Sequence, residues 1–172
     1  HLRRAWVQDL IRSGGAVRFS QSYPDGQALF DAAKEHGLEG IMAKSPDSPY
    51  VIGRRSTSWI KIKVRSTMDC VIIGYTEGEG GREKLGSVHV AEKTDGGLHY
   101  VGKVGSGFSD EDINDLSARL ATMEIERPTV KVPKVEKGTW VEASLVCEVE
   151  YASKTRDGML REPVFIRLRP DL

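Results

Sequence analysis

Two short segments carry side chains that could do chemistry together: Glu39-Gly40-Ile41-Met42-Ala43-Lys44 and Trp59-Ile60-Lys61-Ile62-Lys63. The second alternates polar and apolar residues with period two. As a strand it sets Lys61 and Lys63 on one face and turns Ile60, Ile62 and Val64 the other way, toward a core. Two ammonium groups side by side on a rigid strand repel each other unless an anion lies over them. A polyphosphate or a nucleic-acid backbone is the usual anion. Glu39 opens the other apolar run and offers a carboxylate at the edge of the same sheet, where a divalent metal could bridge it to phosphate. Two half-buried strands with a solvated lysine face satisfy the same pattern.

The surroundings favour a local anionic site over a generally basic surface. The 172 residues carry no net charge, with 39% apolar and 29% charged residues, as in a water-soluble globular protein. Between Glu39 and Arg65 the basic residues are Lys44, Arg54, Arg55, Lys61, Lys63 and Arg65, against only Glu39 and Asp47. Between Asp110 and Glu126 the balance reverses, with Arg119 alone against six acids. A basic stripe on a neutral chain points to one defined site. No apolar run is long enough to span a bilayer, and the start shows no signal-peptide pattern. Cys70 and Cys147 lie in apolar strand-like runs without CxxC spacing or neighbouring histidines, which reads as buried free thiols in a reducing, cytoplasmic compartment. The four scattered histidines give no zinc pattern.

The elements that must position these residues follow from periodicity and punctuation. Leu2 to Arg12 has helical spacing and ends at Gly14-Gly15; Ala16 to Ser20 can form a short strand. Pro24-Asp25-Gly26 starts a helix over 28–36, which Gly37 stops. The Glu39–Lys44 strand, a loop rich in Pro, Ser and Gly, and the Trp59–Val64 strand complete a mixed α/β layer. After Ser66 the style changes. Asp69–Thr76, Leu85–Glu92 and Gly97–Val104 form a meander joined at Gly78-Glu79-Gly80-Gly81 and Asp95-Gly96-Gly97. Ser109 caps a helix to Met123, and a proline-containing connector leads to strands over Thr139–Ser153 and Leu160–Arg169 with a turn at Asp157-Gly158. Five strands with a helix inserted after the third is the order of an OB-fold barrel. The fold class expected is therefore α+β in two domains, residues 1–66 and 67–172, with a hinge near Ser66.

The chain resembles the ATP-dependent DNA ligases, and most of all the ligase domains of bacterial and archaeal end joining. LEGIMAKSPDSPY and GRRSTSWIKIK are similar to the family's fourth and fifth nucleotidyltransferase motifs. DCVIIGYTEGEGGREKLGSVHVA and LHYVGKVGSGFS resemble the start of its OB domain, and TWVEASLVCEVEYASKTRDGMLREPVFIRLRPDL its end, with the sixth motif. The resemblance implies the last part of an adenylation domain followed by a complete OB domain. It implies that Glu39 ligands or orients Mg2+, and that Lys61 and Lys63 contact the α-phosphate of ATP and later the adenylate. It implies too that Arg167 and Arg169 engage the β and γ phosphates in the first step, and that Arg54 and Arg55 hold the DNA backbone or the nucleotide, solvated loop charges being the other reading of these two arginines. Such groups suit phosphoryl transfer, which is governed by positioning and by charge on the equatorial oxygens. The implied partners are nicked duplex DNA, the front half of the adenylation domain and end-joining proteins, with no membrane.

Two departures stand out. The family's nucleophile is a lysine in a Lys-x-Asp-Gly motif upstream of everything seen here. The one such string, Lys93-Thr94-Asp95-Gly96, follows the fifth motif and reads as an Asp-Gly hairpin tip. A nucleophilic lysine needs burial or a cationic neighbour, which a hairpin tip does not offer. This chain alone is therefore expected not to adenylate itself. The sixth motif usually closes Arg-x-Asp-Lys, whereas Arg169-Pro170-Asp171 is followed here by Leu172. The alternatives are a non-catalytic OB-fold DNA-binding module, and a related RNA ligase or capping nucleotidyltransferase.

Overall fold

A computed structural model describes residues 2–11, 15–78 and 85–172. The chain divides into two compact units, His1–Val64 and Arg65–Leu172. In the first, α1 spans Leu2–Leu10 and α2 spans Gly26–Glu35. The Asp25 carboxylate accepts the Ala28 N–H at 3.0 Å, satisfying an otherwise orphaned helix donor. Lys34 complements the dipole in the last turn, and Gly37 ends the helix at φ +64°. Helix α2 packs on β1 (Gly40–Lys44), which pairs antiparallel with β2 (Trp59–Lys63).

Two expectations for this unit fail. Residues 16–20 form no strand: they have no partner segment to pair with among the described residues, and Val17 stays exposed. Ile60 and Ile62 do not enter a core, being 58% and 40% exposed. A sheet of only two strands gives its apolar side too little to pack against.

The second unit is a curled antiparallel sheet. Its strands are β3 (Ser66–Thr76), β4 (Ser87–Thr94), β5 (Gly97–Val104), β7 (Thr139–Tyr151) and β10 (Val164–Leu168), in spatial order β10-β7-β3-β4-β5. A two-residue β6 (Glu124–Ile125) adds to β7. The sheet closes on itself just beyond β5, where the Phe165 N–H donates to the Ser106 carbonyl at 2.8 Å. Gly107, at φ +96°, permits that approach, since a Cβ there would lie 2.1 Å from the Phe165 carbonyl oxygen. This is the OB-fold order expected from the sequence. The Gly78–Gly81 connection lies, after its first residue, outside the described residues.

Inward residues alternate along each strand and fill the barrel: Cys70 and Ile72, Val88 and Val90, Cys147 and Val149, with Phe165. Helix α3 (Asp110–Ala121) adds Leu116 and Leu120. Its start is a reciprocal capping box in which the Ser109 hydroxyl oxygen accepts the Asp112 N–H and the Asp112 carboxylate accepts the Ser109 N–H. On the outer side, Val130 and Val132 of the connector cover Val71, Ile73, Ala91 and Tyr100. Cys70 and Cys147 face each other across β3 and β7, both fully buried and unbridged. Burial pushes the Cys70 thiol up to about 12 and raises Cys147 as well.

The last strand departs from one continuous run over 160–169. It splits into β9 (Leu160–Arg161), paired with β8 (Ser153–Lys154), and β10. Pro163 lacks the N–H a ladder needs, and Glu162 takes φ +50°. Arg65 supports this corner by donating to the Glu162 carbonyl at 3.3 Å and carboxylate at 3.4 Å.

Candidate functional site

The β1–β2 register decides which side chains of the first unit share a face. Gly40 pairs with Lys63, Met42 with Lys61 and Lys44 with Trp59, so these six lie on one side. Lys61 and Lys63 are neighbours there, as their spacing predicts. Glu39 reaches the same side by another route. Gly40 has φ +147°, and a Cβ at that position would sit 2.1 Å from the Ile62 carbonyl oxygen. Only glycine tolerates this bend, which takes Glu39 out of the strand's strict alternation. Its carboxylate then accepts a hydrogen bond from Lys61 Nζ at 2.6 Å, both groups largely exposed. The expected carboxylate and lysines are thus brought together on one hairpin.

Strand parity relative to Glu39 sets Lys44 on the opposite face. The pairing register instead sets it beside Lys61, with its Nζ 4.1 Å from the centre of the Trp59 ring. Beyond Trp59 the 45–58 loop borders an open cleft of about 520 Å3, lined in part by Met42, Tyr50, Arg54, Arg55, Trp59 and Lys61. Both arginines are exposed. The chemistry legible in the loop is its two arginines; Trp59, whose residue type favours a core position, is instead half-exposed beside them.

Arg167 and Arg169 belong to the second unit and differ from each other. Arg169 is bound by three of its nitrogens: Nε and Nη2 to the two oxygens of Asp171 at 2.9 and 2.8 Å, and Nη1 to Asp69 at 2.9 Å. That fork holds the Asp171 carboxyl down to about 2 and raises the guanidinium in turn. Arg167 gives only Nε, to Glu148 at 2.8 Å, which lowers the Glu148 carboxyl. Its side chain remains mostly exposed.

Lys93 sits exposed at the β4–β5 hairpin tip, whose turn is tied by Thr94 Oγ1 accepting from Gly96 and donating to Gly97. No group of three or more His, Cys, Asp or Glu side chains among the described residues could hold a metal ion alone. One carboxylate fits Mg2+, which keeps several waters and takes its remaining ligands from substrate phosphates.

An OB-fold barrel and a lysine-faced hairpin are the features on which the chain can be compared with known proteins. Residues 3–63 match the family described as ATP dependent DNA ligase domain, and residues 81–172 the ATP dependent DNA ligase C terminal region. The chain belongs to the ATP-dependent DNA ligase family. It is 37% identical over 174 residues to a multifunctional non-homologous end joining protein LigD of Mycolicibacterium smegmatis, covering 98% of this chain and 23% of that protein. It is 34% identical over 179 residues to a DNA ligase of Archaeoglobus fulgidus, covering 98% of this chain and 32% of that one. The crystal structure of the ligase domain from M. tuberculosis LigD superposes with a TM-score of 0.60 at 38% identity, over 86% of this chain and 50% of that one. A mycobacterial DNA ligase D complexed with ATP and MES gives a TM-score of 0.55 at 37% identity, over 86% of this chain and 49% of that one. This chain therefore spans at most about half of these relatives.

Proposed function

We propose that this chain is the back part of the catalytic region of an enzyme that seals nicks in duplex DNA using ATP and Mg2+, in repair, replication or recombination. The carrying observation is the hairpin face on which Glu39, Lys61 and Lys63 converge. Three steps follow from the family chemistry. A lysine from residues beyond these 172 attacks the α-phosphorus of ATP and releases pyrophosphate. The DNA 5′-phosphate then takes the AMP, and the 3′-hydroxyl displaces it. Lys61 and Lys63 neutralise the non-bridging oxygens that gain charge at each step; Glu39 is the residue that would hold Mg2+, which would supply further charge neutralisation at phosphate.

In the OB domain, Arg167 meets the β and γ phosphates with its terminal nitrogens, while Arg169 reaches them only by loosening its hold on Asp171 and Asp69. The stretch around Arg65–Asp69 serves as the hinge for presenting one barrel face and then another. Arg54 and Arg55 contact the DNA backbone. Partners are nicked DNA, the front half of the adenylation domain and end-joining proteins, and the setting is the cytoplasm and nucleoid. No helix among the described residues is long and apolar enough to cross a membrane.

The test is transfer of label from ATP marked at the α-phosphate. A longer polypeptide containing this chain becomes labelled with Mg2+, the 172 residues alone do not, and Lys61→Ala in the longer form abolishes nick sealing. Labelling of the short chain overturns the assignment of the nucleophile and returns attention to Lys93. Sealing that survives Lys61→Ala overturns the role of the hairpin face.

A further inference from the structure

We infer that Asp69 and Glu148 form a carboxylate latch on Arg169 and Arg167, which a polyphosphate must displace before the barrel can take it; this rests on the reading of those arginines as ATP-phosphate contacts given above. The sheet register brings the two carboxylates together. Asp69 on β3 is the direct cross-strand partner of Glu148 on β7, and Glu148 is in turn the partner of Arg167 on β10. Partners across an antiparallel sheet share a face. Cys70, Cys147 and Val149 alternate inward, so the three charged side chains stand in one row on the outside of the barrel.

Like charges directly opposite each other destabilise a sheet unless cations neutralise them. Here each carboxylate has its own. Arg167 Nε donates to Glu148 at 2.8 Å, and Arg169 Nη1 donates to Asp69 at 2.9 Å. Arg169 is also fixed from two other directions. Its Nε and Nη2 grip Asp171, and its backbone N–H donates to the Val146 carbonyl at 2.8 Å. The Glu148 side chain is only 19% exposed. The hydrogen bond from Arg167, aided by Arg169 and Thr67, holds its carboxyl below the usual range, so it stays an ionised competitor for the guanidinium.

Guanidinium groups bind carboxylate and phosphate through the same N–H edges, so the two acceptors exclude each other at a shared donor. A phosphate that takes only unlatched arginines binds more weakly in proportion to the time they spend latched. Departure of the arginines leaves Asp69 and Glu148 opposed without a counter-charge, which favours their return. These two residues thus set how readily the barrel takes phosphates and how readily it gives them up.

The experiment titrates inorganic tripolyphosphate into the 172-residue chain and follows the Nε–H resonances of Arg167 and Arg169 by NMR. Asp69→Asn and Glu148→Gln should each tighten binding about threefold, the worth of a partly exposed ion pair. Glu150→Gln removes a charge from the same strand that pairs with Arg65 instead, and should change affinity less. Unchanged or weaker binding in both latch variants, equal tightening in Glu150→Gln, or no binding by any form overturns the inference. Melting temperature identifies a variant that has not folded, and the other latch variant then decides the test. In the longer polypeptide the same two substitutions should lower KM for ATP in self-labelling about threefold, an effect that lost packing does not produce. An unchanged or raised KM there also overturns the latch. A longer polypeptide that takes no label from ATP overturns the ligase reading instead, and the tripolyphosphate titration still judges the latch.

Discussion

The two units meet opposite physical conditions with the same alphabet. Among the described residues, the barrel holds every buried hydrophobic side chain except Ala33. The first unit holds all the large exposed hydrophobics except Val135, Ile166 and Leu172. The barrel closes its own sheet and brings a helix and a connector to cover both sides. The hairpin unit has one short helix against one strand, and most of its large apolar residues face solvent. A closed barrel supplies its own partners, whereas a two-stranded hairpin must borrow them. We read the uncovered Ile60 and Ile62 as the side on which the rest of the adenylation domain packs.

That contrast can be broken most sharply at the barrel seam. Gly107→Val places a branched Cβ against the Phe165 carbonyl at a left-handed φ, so the second unit should lose at least about 3 kcal/mol in urea unfolding, or fail to fold. Ile62→Ala, made in the short chain, should cost less than about 1 kcal/mol, because little burial is lost. In a longer protein with its adenylation domain complete, the same substitution should cost about 2–4 kcal/mol. A large effect in the short chain would show that the hairpin has its own core.

A pH series sharpens the same comparison. Among the described residues His89 is the one buried charged or polar residue of the barrel, with Nδ1 at 3.0 Å from the Tyr100 hydroxyl and Nε2 at 3.1 Å from the Lys137 carbonyl. Burial lowers its pKa, with the Lys137 carbonyl and Glu136 opposing and Lys103 assisting. A depressed folded-state value means stability is complete above the unfolded pKa, near 6.5, and is lost as pH falls below it. The barrel's melting temperature should therefore drop from pH 7 to pH 5, and His89→Gln should flatten that drop. The smallest effect is expected at the exposed Glu39–Lys61 pair: Glu39→Gln should shift stability by less than about 1 kcal/mol. In the intact protein it should nonetheless impair adenylation strongly.

What was legible in the sequence divides along the same line. Alternation in the five barrel strands, Ser109 with its acidic first turn, and Asp25 before Gly26 report local chemistry, and the folded chain uses each one. The Ala16–Ser20 run had the right residue types but lacked a pairing partner, which no local pattern supplies. The hairpin lysines were readable because period two fixes a face. The Glu39–Lys61 bond was not, because it depends on how Gly40 bends rather than on its place in the alternation. Arg169 shows the other limit: its partner Asp69 lies 100 residues away in the chain. The Arg-Arg pair at 54–55 suggested an anion, but the open cleft beside it exists only once the folded loop lies beside Met42 and Trp59.

The facing thiols of Cys70 and Cys147 give the barrel a built-in clock. Both are sealed inside the sheet, and burial pushes the Cys70 thiol up to about 12, so a thiol reagent has no access to either sulfur while the strands are shut. Alkylation of either cysteine therefore records how often β3 and β7 part, at any temperature or salt concentration, without a probe being added to the protein.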